Sequence, residues 1–164
     1  MELPLKTIQK RPLTIEIRNM SPNTLHNILY YIYTGKVNLH IGTTSSRPRY
    51  ANCPMVTDPF ELYRKAKKFG LHQLAARCLH YIRSTLTPMN VCGQLFNLWC
   101  LDYPDLKSSY IDYLVQSFNV VKRRDEWNNF VLHVDDDENP EKELHQQLLE
   151  EVMAKVEVVK INEN

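Results

Sequence analysis

Residues 21–37 read SPNTLHNILYYIYTGKV, and the rest of the chain is best interpreted from this run. Ser21 is a preferred helix cap, and Pro22 suits the first helical position because its missing N–H would have no intrahelical partner there. Apolar residues then recur at the i, i+3, i+4 and i+7 positions of one helical face: Leu25, Ile28, Leu29 and Ile32. Because Gly35 supplies a C-terminal stop, the pattern predicts an amphipathic helix over residues 21–34 that buries this face.

The same pairing of a capping residue with proline predicts three further helix starts, at Asp58-Pro59, Thr87-Pro88 and Asn139-Pro140. After Asp58, Glu61 is placed to complete a reciprocal capping box, and Gly70 ends that helix. A second helix follows at once, with one apolar face: Leu71, Leu74, Ala75, Cys78, Leu79, Ile82 and Leu86. Two helices joined by so short a turn must pack as a hairpin or a sharp elbow.

Helical periodicity continues to the end of the chain. A helix after Thr87 carries Val91, Leu95, Leu98 and Trp99, and the next, opening near Pro104, carries Ile111, Leu114, Phe118 and Val121. A short element is expected around Trp127. The last helix, from Asn139, has Leu144, Leu148, Val152 and Val156 on one stripe and polar residues elsewhere, which predicts a surface helix.

Strand patterns are few. Leu13–Ile17 alternates apolar and polar residues and predicts one strand, while residues 37–41 are a weaker second candidate. The segment between His40 and Thr57 is rich in Thr, Ser, Pro and Arg without periodicity, which predicts a loop. The fold class is therefore mainly α, as an α+β fold with a remnant of a small sheet.

Composition excludes several classes of protein. The four glycines among 164 residues lie too far apart to form a phosphate-binding loop, and the four cysteines follow no paired CxxC spacing. No apolar run approaches the roughly 20 residues of a membrane span, and residues 1–9 lack the apolar centre of a secretory signal. We therefore expect no membrane association, reduced thiols, and a cytoplasmic or nuclear location, or both.

The net charge of +1 conceals an asymmetry, because residues 135–164 carry −7 and residues 1–134 carry +8. Two basic clusters raise nucleic-acid binding as a remote alternative function: Arg64, Lys65, Lys67 and Lys68, and Lys122, Arg123 and Arg124. The charges are otherwise dispersed, and the first cluster falls on the polar face of a short helix. A solvated helix face is the favoured interpretation, so nucleic acid is not an expected partner.

No catalytic, cofactor or metal site is indicated by the sequence. The six histidines are scattered through different elements, and none has the HExxH spacing of a helical zinc protease site. The acidic run at residues 135–138 lacks the alternating ligands and central glycine of an EF-hand loop, so a solvated linker is favoured. We predict that the protein is not an enzyme and takes no small-molecule substrate.

Particular residues, taken in this order of elements, point to a family. Ile15-Glu16-Ile17, Ser21-Pro22 and Leu25, with the YIYTGK run of residues 31–36, closely resemble the central strand, third helix and exit turn of the BTB/POZ domain. Residues 65–71, with Leu74 and Cys78, resemble its paired closing helices. The segments that follow are similar to the BACK extension, whose first helix pair is called the 3-box: Leu86-Thr87, Asn90-Val91, residues 113–115 and Glu126-Trp127.

This resemblance implies a domain organisation. Residues 1–12 form a lead, residues 13–86 a partial BTB/POZ domain with a loop insertion at 40–57, and residues 87–133 a 3-box/BACK-like helical region. Residues 134–164 form an acidic linker and a C-terminal helix. The N-terminal half of the BTB domain, with its usual dimer-forming helix, is expected to be missing.

The resemblance further implies a non-enzymatic adaptor of a cullin-RING ubiquitin ligase, with a cullin scaffold and another BTB chain as partners. Apolar stripes on short helices suit grooves for partner helices, and the candidate contact residues are Leu25, Leu29, Tyr33, Met89, Val91, Leu95 and Leu98. The hydrophobic-x-Glu motif of many cullin binders is not recognisable before the first strand. A BTB-type scaffold or transcriptional co-regulator without cullin binding is therefore the alternative.

Overall fold

The computed structural model describes residues 19–39, 54–96, 98–135, 138 and 140–162, and within these ranges the protein is helical without a strand. The helices, in chain order, are α1 (Pro22–Thr34), α2 (Pro59–Lys68), α3 (His72–Ser84), α4 (Val91–Phe96), a 3₁₀ helix (Leu98–Asp102), α5 (Pro104–Gln116), α6 (Phe118–Val121), α7 (Asp125–Asp135) and α8 (Lys142–Asn162). The mainly α fold class is thus confirmed.

Neither of the two predicted strands is seen in the described residues. Leu13–Ile17 lies outside the described residues, and so does most of the predicted loop, residues 40–53. Residues 37–39 are irregular, so the described part of the weaker candidate is not a strand. Asn38 explains this locally. Its backbone N–H donates to the side-chain oxygen of Asn27, and its side-chain amide donates to the carbonyl of Pro54. Its backbone N–H is bonded to α1 instead of to a neighbouring strand.

The helices α2 and α3 form the predicted hairpin, and the geometry of the turn explains why it is so tight. Gly70 has a left-handed φ of 69°, which glycine adopts without the steric cost that a Cβ brings. The Leu71 N–H donates to the Ala66 carbonyl (2.9 Å), and the Gly70 N–H donates to the Lys67 carbonyl (3.2 Å). This is a Schellman arrangement, which satisfies the last carbonyls of α2 and reverses the chain.

The helix predicted after Thr87 is divided into two pieces. The chain first makes a turn in which the Asn90 side chain accepts from the Thr87 N–H (2.8 Å) and donates to the Thr85 carbonyl (2.9 Å), and α4 starts only at Val91. The 3₁₀ helix Leu98–Asp102 replaces the expected continuation through Trp99. Pro104 disfavours the α conformation at Tyr103, so it separates the 3₁₀ helix from α5.

The next predicted helix opens at Pro104 as expected but is interrupted at Ser117. The Ser117 hydroxyl donates to the Tyr113 carbonyl (2.7 Å), a back-bond that competes with the helical pattern and bends helices. Phe118 and Val121 therefore belong to the short α6. The element expected around Trp127 is α7, with 11 residues.

A single hydrophobic core runs from α1 to α8. Tyr63 and Leu74 of the α2–α3 hairpin share it with Tyr110 of α5, and it continues to Phe130 of α7 and Val152 of α8. In α8, Leu148, Val152 and Val156 are buried as predicted, whereas Leu144 is exposed and His145 is buried in its place, with its ring edge-on to Phe130. The core therefore joins the region before Leu86 to the helices after it.

Candidate protein-interaction surface

The orientation of α1 is set by a polar cluster at its N-terminus. The Ser21 hydroxyl accepts from the Thr24 N–H (3.1 Å) and caps the helix. The Glu61 carboxylate of α2 accepts from the Ser21 N–H (2.9 Å), the Ser21 hydroxyl (2.9 Å) and the Thr24 hydroxyl (2.8 Å). Glu61 therefore joins α2 to the start of α1, and the prediction that it completes a capping box with Asp58 assigned it the wrong partner. Asp58 does cap α2, accepting from the Phe60 and Glu61 N–H groups.

Two buried polar residues, Thr24 and Asn27, fix the inner side of α1. The Thr24 and Thr57 hydroxyl oxygens lie 2.6 Å apart. The Asn27 amide donates to the carbonyls of Asn23 (3.0 Å) and Met55 (2.8 Å) and accepts from the Asn38 N–H (3.2 Å). Buried polar groups are costly unless they are hydrogen-bonded, and these bonds satisfy both side chains.

The buried face of α1 is therefore displaced by one residue from the predicted one. The structure buries Thr24, Asn27 and Ile28 and half-buries Tyr31, which is again an i, i+3, i+4, i+7 pattern. The predicted stripe Leu25, Ile28, Leu29 and Ile32 keeps only Ile28 in the core. A shift of one residue rotates a helix by about 100°. Hydrogen bonds to Thr24 and Asn27, which apolar periodicity does not register, explain the difference.

An apolar outer face results from this rotation. Leu29 is 44% exposed, Ile32 56% and Tyr33 84%, and Leu25 is half-buried beside them. Contiguous exposed apolar side chains on a fixed helix are typical of surfaces that bind another protein. We call Leu29, Ile32 and Tyr33 the α1 face.

The C-terminal end of α1 is held by α3. The Arg77 guanidinium donates to the Gly35 carbonyl and stacks over the Tyr31 ring, with 5.6 Å between its carbon and the ring centroid. The Tyr31 hydroxyl also donates to the Gln73 side chain at 3.4 Å. Since both ends of α1 are anchored, the α1 face is presented on a rigid helix.

The other candidate contact residues are placed differently. Met89 is exposed on the turn between α3 and α4. Val91 and Leu95 of α4 are fully buried, with 0% and 1% exposure, so they pack in the core and a partner cannot reach them in this conformation. The side chain of Leu98 lies outside the described residues. Of the predicted set, α1 therefore brings together Leu25, Leu29 and Tyr33, and Ile32 is the exposed neighbour that the candidate list lacked.

The cysteines that the structure describes are buried. Burial raises the pKa of Cys78 to about 12 and the pKa values of Cys92 and Cys100 to about 11, so these thiols are protonated at neutral pH. No group of three metal-ligating side chains occurs in the described part of the chain. Within the same residues, no helix is both long and apolar enough to span a bilayer.

The basic clusters lie on separate elements. The first belongs to α2, where Lys67 pairs with Asp105 at 3.1 Å. The second follows α6, where the Lys122 ammonium lies 5.9 Å from the centroid of the Phe118 ring. Part of each cluster is thus engaged within the protein itself.

Comparison with known proteins gives one family match and several relatives. Residues 3–86 match the family model of the BTB/POZ domain. Kelch-like protein 7 of Rattus norvegicus is 19% identical over 120 residues, which cover 73% of this chain and 18% of that protein. The proteins of the same name from Gallus gallus and Homo sapiens are 18% identical over 120 residues with the same coverage. The chain thus matches under a fifth of the length of these relatives, and no solved structure matches significantly.

Proposed function

The chain belongs to the BTB/POZ domain family, and we propose that it acts as an adaptor that binds a cullin scaffold of a cullin-RING ubiquitin ligase. BTB domains are protein–protein interaction modules, and that much holds for this chain. The part that we propose is the identity of the partner, a cullin. The main support for it is the α1 face, because α1 ends within the family signature Tyr33-Thr34-Gly35-Lys36 and exposes apolar residues beside it.

The alignment with the Kelch-like relatives also supports this proposal. Its 120 residues are more than residues 3–86 contain, and only two residues of the chain precede that match. The similarity therefore continues into the helices that follow Leu86, where the BACK-like region was predicted. The shared hydrophobic core agrees with this, because α5 packs against α3 of the hairpin and α4 packs against α5.

We further propose that the role is not catalytic. The buried and protonated thiols of Cys78, Cys92 and Cys100 are unsuited to nucleophilic attack. An adaptor needs only a surface of the right shape and charge, and a rigid helix with exposed Leu29, Ile32 and Tyr33 provides one.

Co-precipitation tests the partner. The tagged chain is expected to enrich an endogenous cullin well above a bead control, and an Ile32→Asp variant is expected to lose that enrichment because it places a carboxylate in the α1 face. Leu132→Asp is the matched control, since Leu132 is similarly exposed but lies on α7.

Two results would contradict the cullin assignment. A wild-type chain that enriches no cullin would favour a BTB-type scaffold or transcriptional co-regulator without ligase activity. Equal enrichment by the wild type and Ile32→Asp would show that cullin binding does not use the α1 face.

A further inference from the structure

A polar pocket of about 430 Å³ lies at the turn that joins α6 to α7. Asn119 and Val120 of α6 line it, together with the consecutive residues 123–126, the last two of which begin α7. Four of the lining residues are charged: Arg123, Arg124, Asp125 and Glu126. The pocket therefore combines two basic residues with two acidic ones.

The charges of this pocket are not closed into pairs within the chain. Arg123 and Asp125 are exposed, and Arg124 and Glu126 are half-buried. In the part of the chain that the structure describes, none of these four side chains forms an ion pair or a hydrogen bond. The ion pairs that join α5 to α2 and to α8 are, by contrast, made within the chain. The four side chains of the pocket thus remain available to another molecule.

The two arginines favour a carboxylate ligand, because a planar guanidinium presents paired N–H donors that match the two oxygens of a carboxylate. The phosphates of a nucleic acid would satisfy the same donors, but Asp125 and Glu126 would repel a continuous row of phosphates. The same two carboxylates attract a basic side chain. Charge complementarity therefore favours a ligand that carries an acidic and a basic group close together.

The uncharged part of the lining suits the main chain of a peptide. The side-chain amide of Asn119 can both donate and accept a hydrogen bond, as a peptide group requires. Val120 is 52% exposed and offers an apolar contact to a neighbouring side chain. A pocket of this volume holds a few side chains, so it fits a short peptide segment.

We propose that this α6–α7 pocket binds a short peptide segment of mixed charge from a partner protein. Arg123 and Arg124 hold an acidic side chain of the segment, and Asp125 and Glu126 hold a basic one. The proposal goes beyond cullin binding and does not depend on it, because no residue of α1 lines the pocket. It gives the chain a contact for a second protein.

Fluorescence anisotropy of labelled peptides with the purified full chain, at low ionic strength, tests the pocket. Two mixed-charge probes carry a pair of aspartates and a pair of lysines, in either order, in a background of serine and alanine. One of them is expected to bind saturably. Its affinity should be about tenfold or more above that of matched probes in which all the charged positions are aspartate or all are lysine.

Variants of the chain locate the binding. Arg123→Glu/Arg124→Glu should weaken binding of the mixed-charge probe about tenfold or more, because it removes both guanidinium groups. Arg64→Glu/Lys68→Glu, at exposed positions of α2, is the matched control, since it makes the same change in net charge outside the pocket. It should bind as the wild type does. Arg123→Glu alone should also weaken binding, and its circular dichroism should be unchanged because Arg123 is exposed.

Three results would overturn the proposal. The first is that neither mixed-charge probe binds saturably. The second is that the pocket variant and the α2 control weaken binding equally, which would show a response to net charge alone. The third is that a single-stranded oligonucleotide binds more tightly than either mixed-charge probe, which would assign the pocket to nucleic acid. Cullin binding should be unaffected by Arg123→Glu/Arg124→Glu, so failure of one proposal is distinguishable from failure of the other.

Discussion

Glu61 is the residue on which the position of α1 depends most, because its carboxylate accepts three hydrogen bonds from Ser21 and Thr24. Replacement by alanine leaves these donors without their acceptor. We expect Glu61→Ala to lower the free energy of unfolding by about 2–3 kcal/mol at pH 7, measured by urea denaturation. Glu143→Ala, at an exposed carboxylate in the first turn of α8, should change it by less than about 0.5 kcal/mol. Similar effects of the two substitutions would contradict the role assigned to Glu61.

The same carboxylate predicts a dependence of stability on pH. Burial raises the pKa of Glu61, but the hydrogen bonds from Ser21 and Thr24 outweigh this effect and bring it below its ordinary value of 4.5. Because the folded pKa is below the unfolded one, the contribution is present above about pH 4.5 and is lost as the pH falls through the folded pKa. The stability of Glu61→Gln should therefore fall less steeply than that of the wild type below pH 4.5. Parallel acid denaturation curves would refute this.

At the scale of helices and turns, two glycines with open surroundings predict opposite effects of the same substitution. Gly70 has a left-handed φ of 69°, whereas Gly93 lies within α4, and an added Cβ would meet nothing within 4 Å at either position. Gly70→Ala should cost about 1 kcal/mol through backbone strain, while Gly93→Ala should stabilise by about 0.5–1 kcal/mol through a lower entropy loss. Thermal denaturation measures both, and effects of the same sign would contradict the turn geometry.

Local chemistry explains why much of the helical order was predictable. Ser21 and Asp58 cap α1 and α2, as predicted. Gly35 and Gly70 follow these two helices at positions where the backbone has a left-handed φ. These signals lie within a few residues of the feature that they predict. The change from α4 to the 3₁₀ helix and the interruption at Ser117 were missed because the apolar period continues across both. At the second, the back-bond of Ser117 redirects the backbone.

The candidate surface was harder to predict than the helices. Apolar periodicity placed Leu29 and Ile32 in the core, and it gave no sign that Thr24 and Asn27 would be buried instead. That outcome depends on Glu61, Thr57 and Met55, which lie about 30 or more residues away in the chain. Val91 and Leu95 were likewise proposed as contacts, because a helix has the same apolar sequence pattern whether its apolar face is covered by the core or by a partner. Only tertiary packing separates the two cases.

For the molecule as a whole, a single core predicts that the BTB closing helices and the helices after Leu86 unfold together. Leu95→Ala should lower the free energy of unfolding by about 2–5 kcal/mol, because it leaves a cavity at a fully buried site. Circular dichroism and tryptophan fluorescence should then report one shared transition at a lower denaturant concentration. Two separated transitions would show that the regions are independent.

The role proposed for the α1 face can be measured directly by isothermal titration of the purified chain with a purified cullin scaffold. We expect saturable binding by the wild type and by Leu132→Asp. Ile32→Asp should bind about tenfold or more weakly while it keeps wild-type stability, since Ile32 is exposed and contributes little to the core. No binding by the folded wild type, or equal affinity of the wild type and Ile32→Asp, would contradict the assignment of α1 as the partner-binding helix.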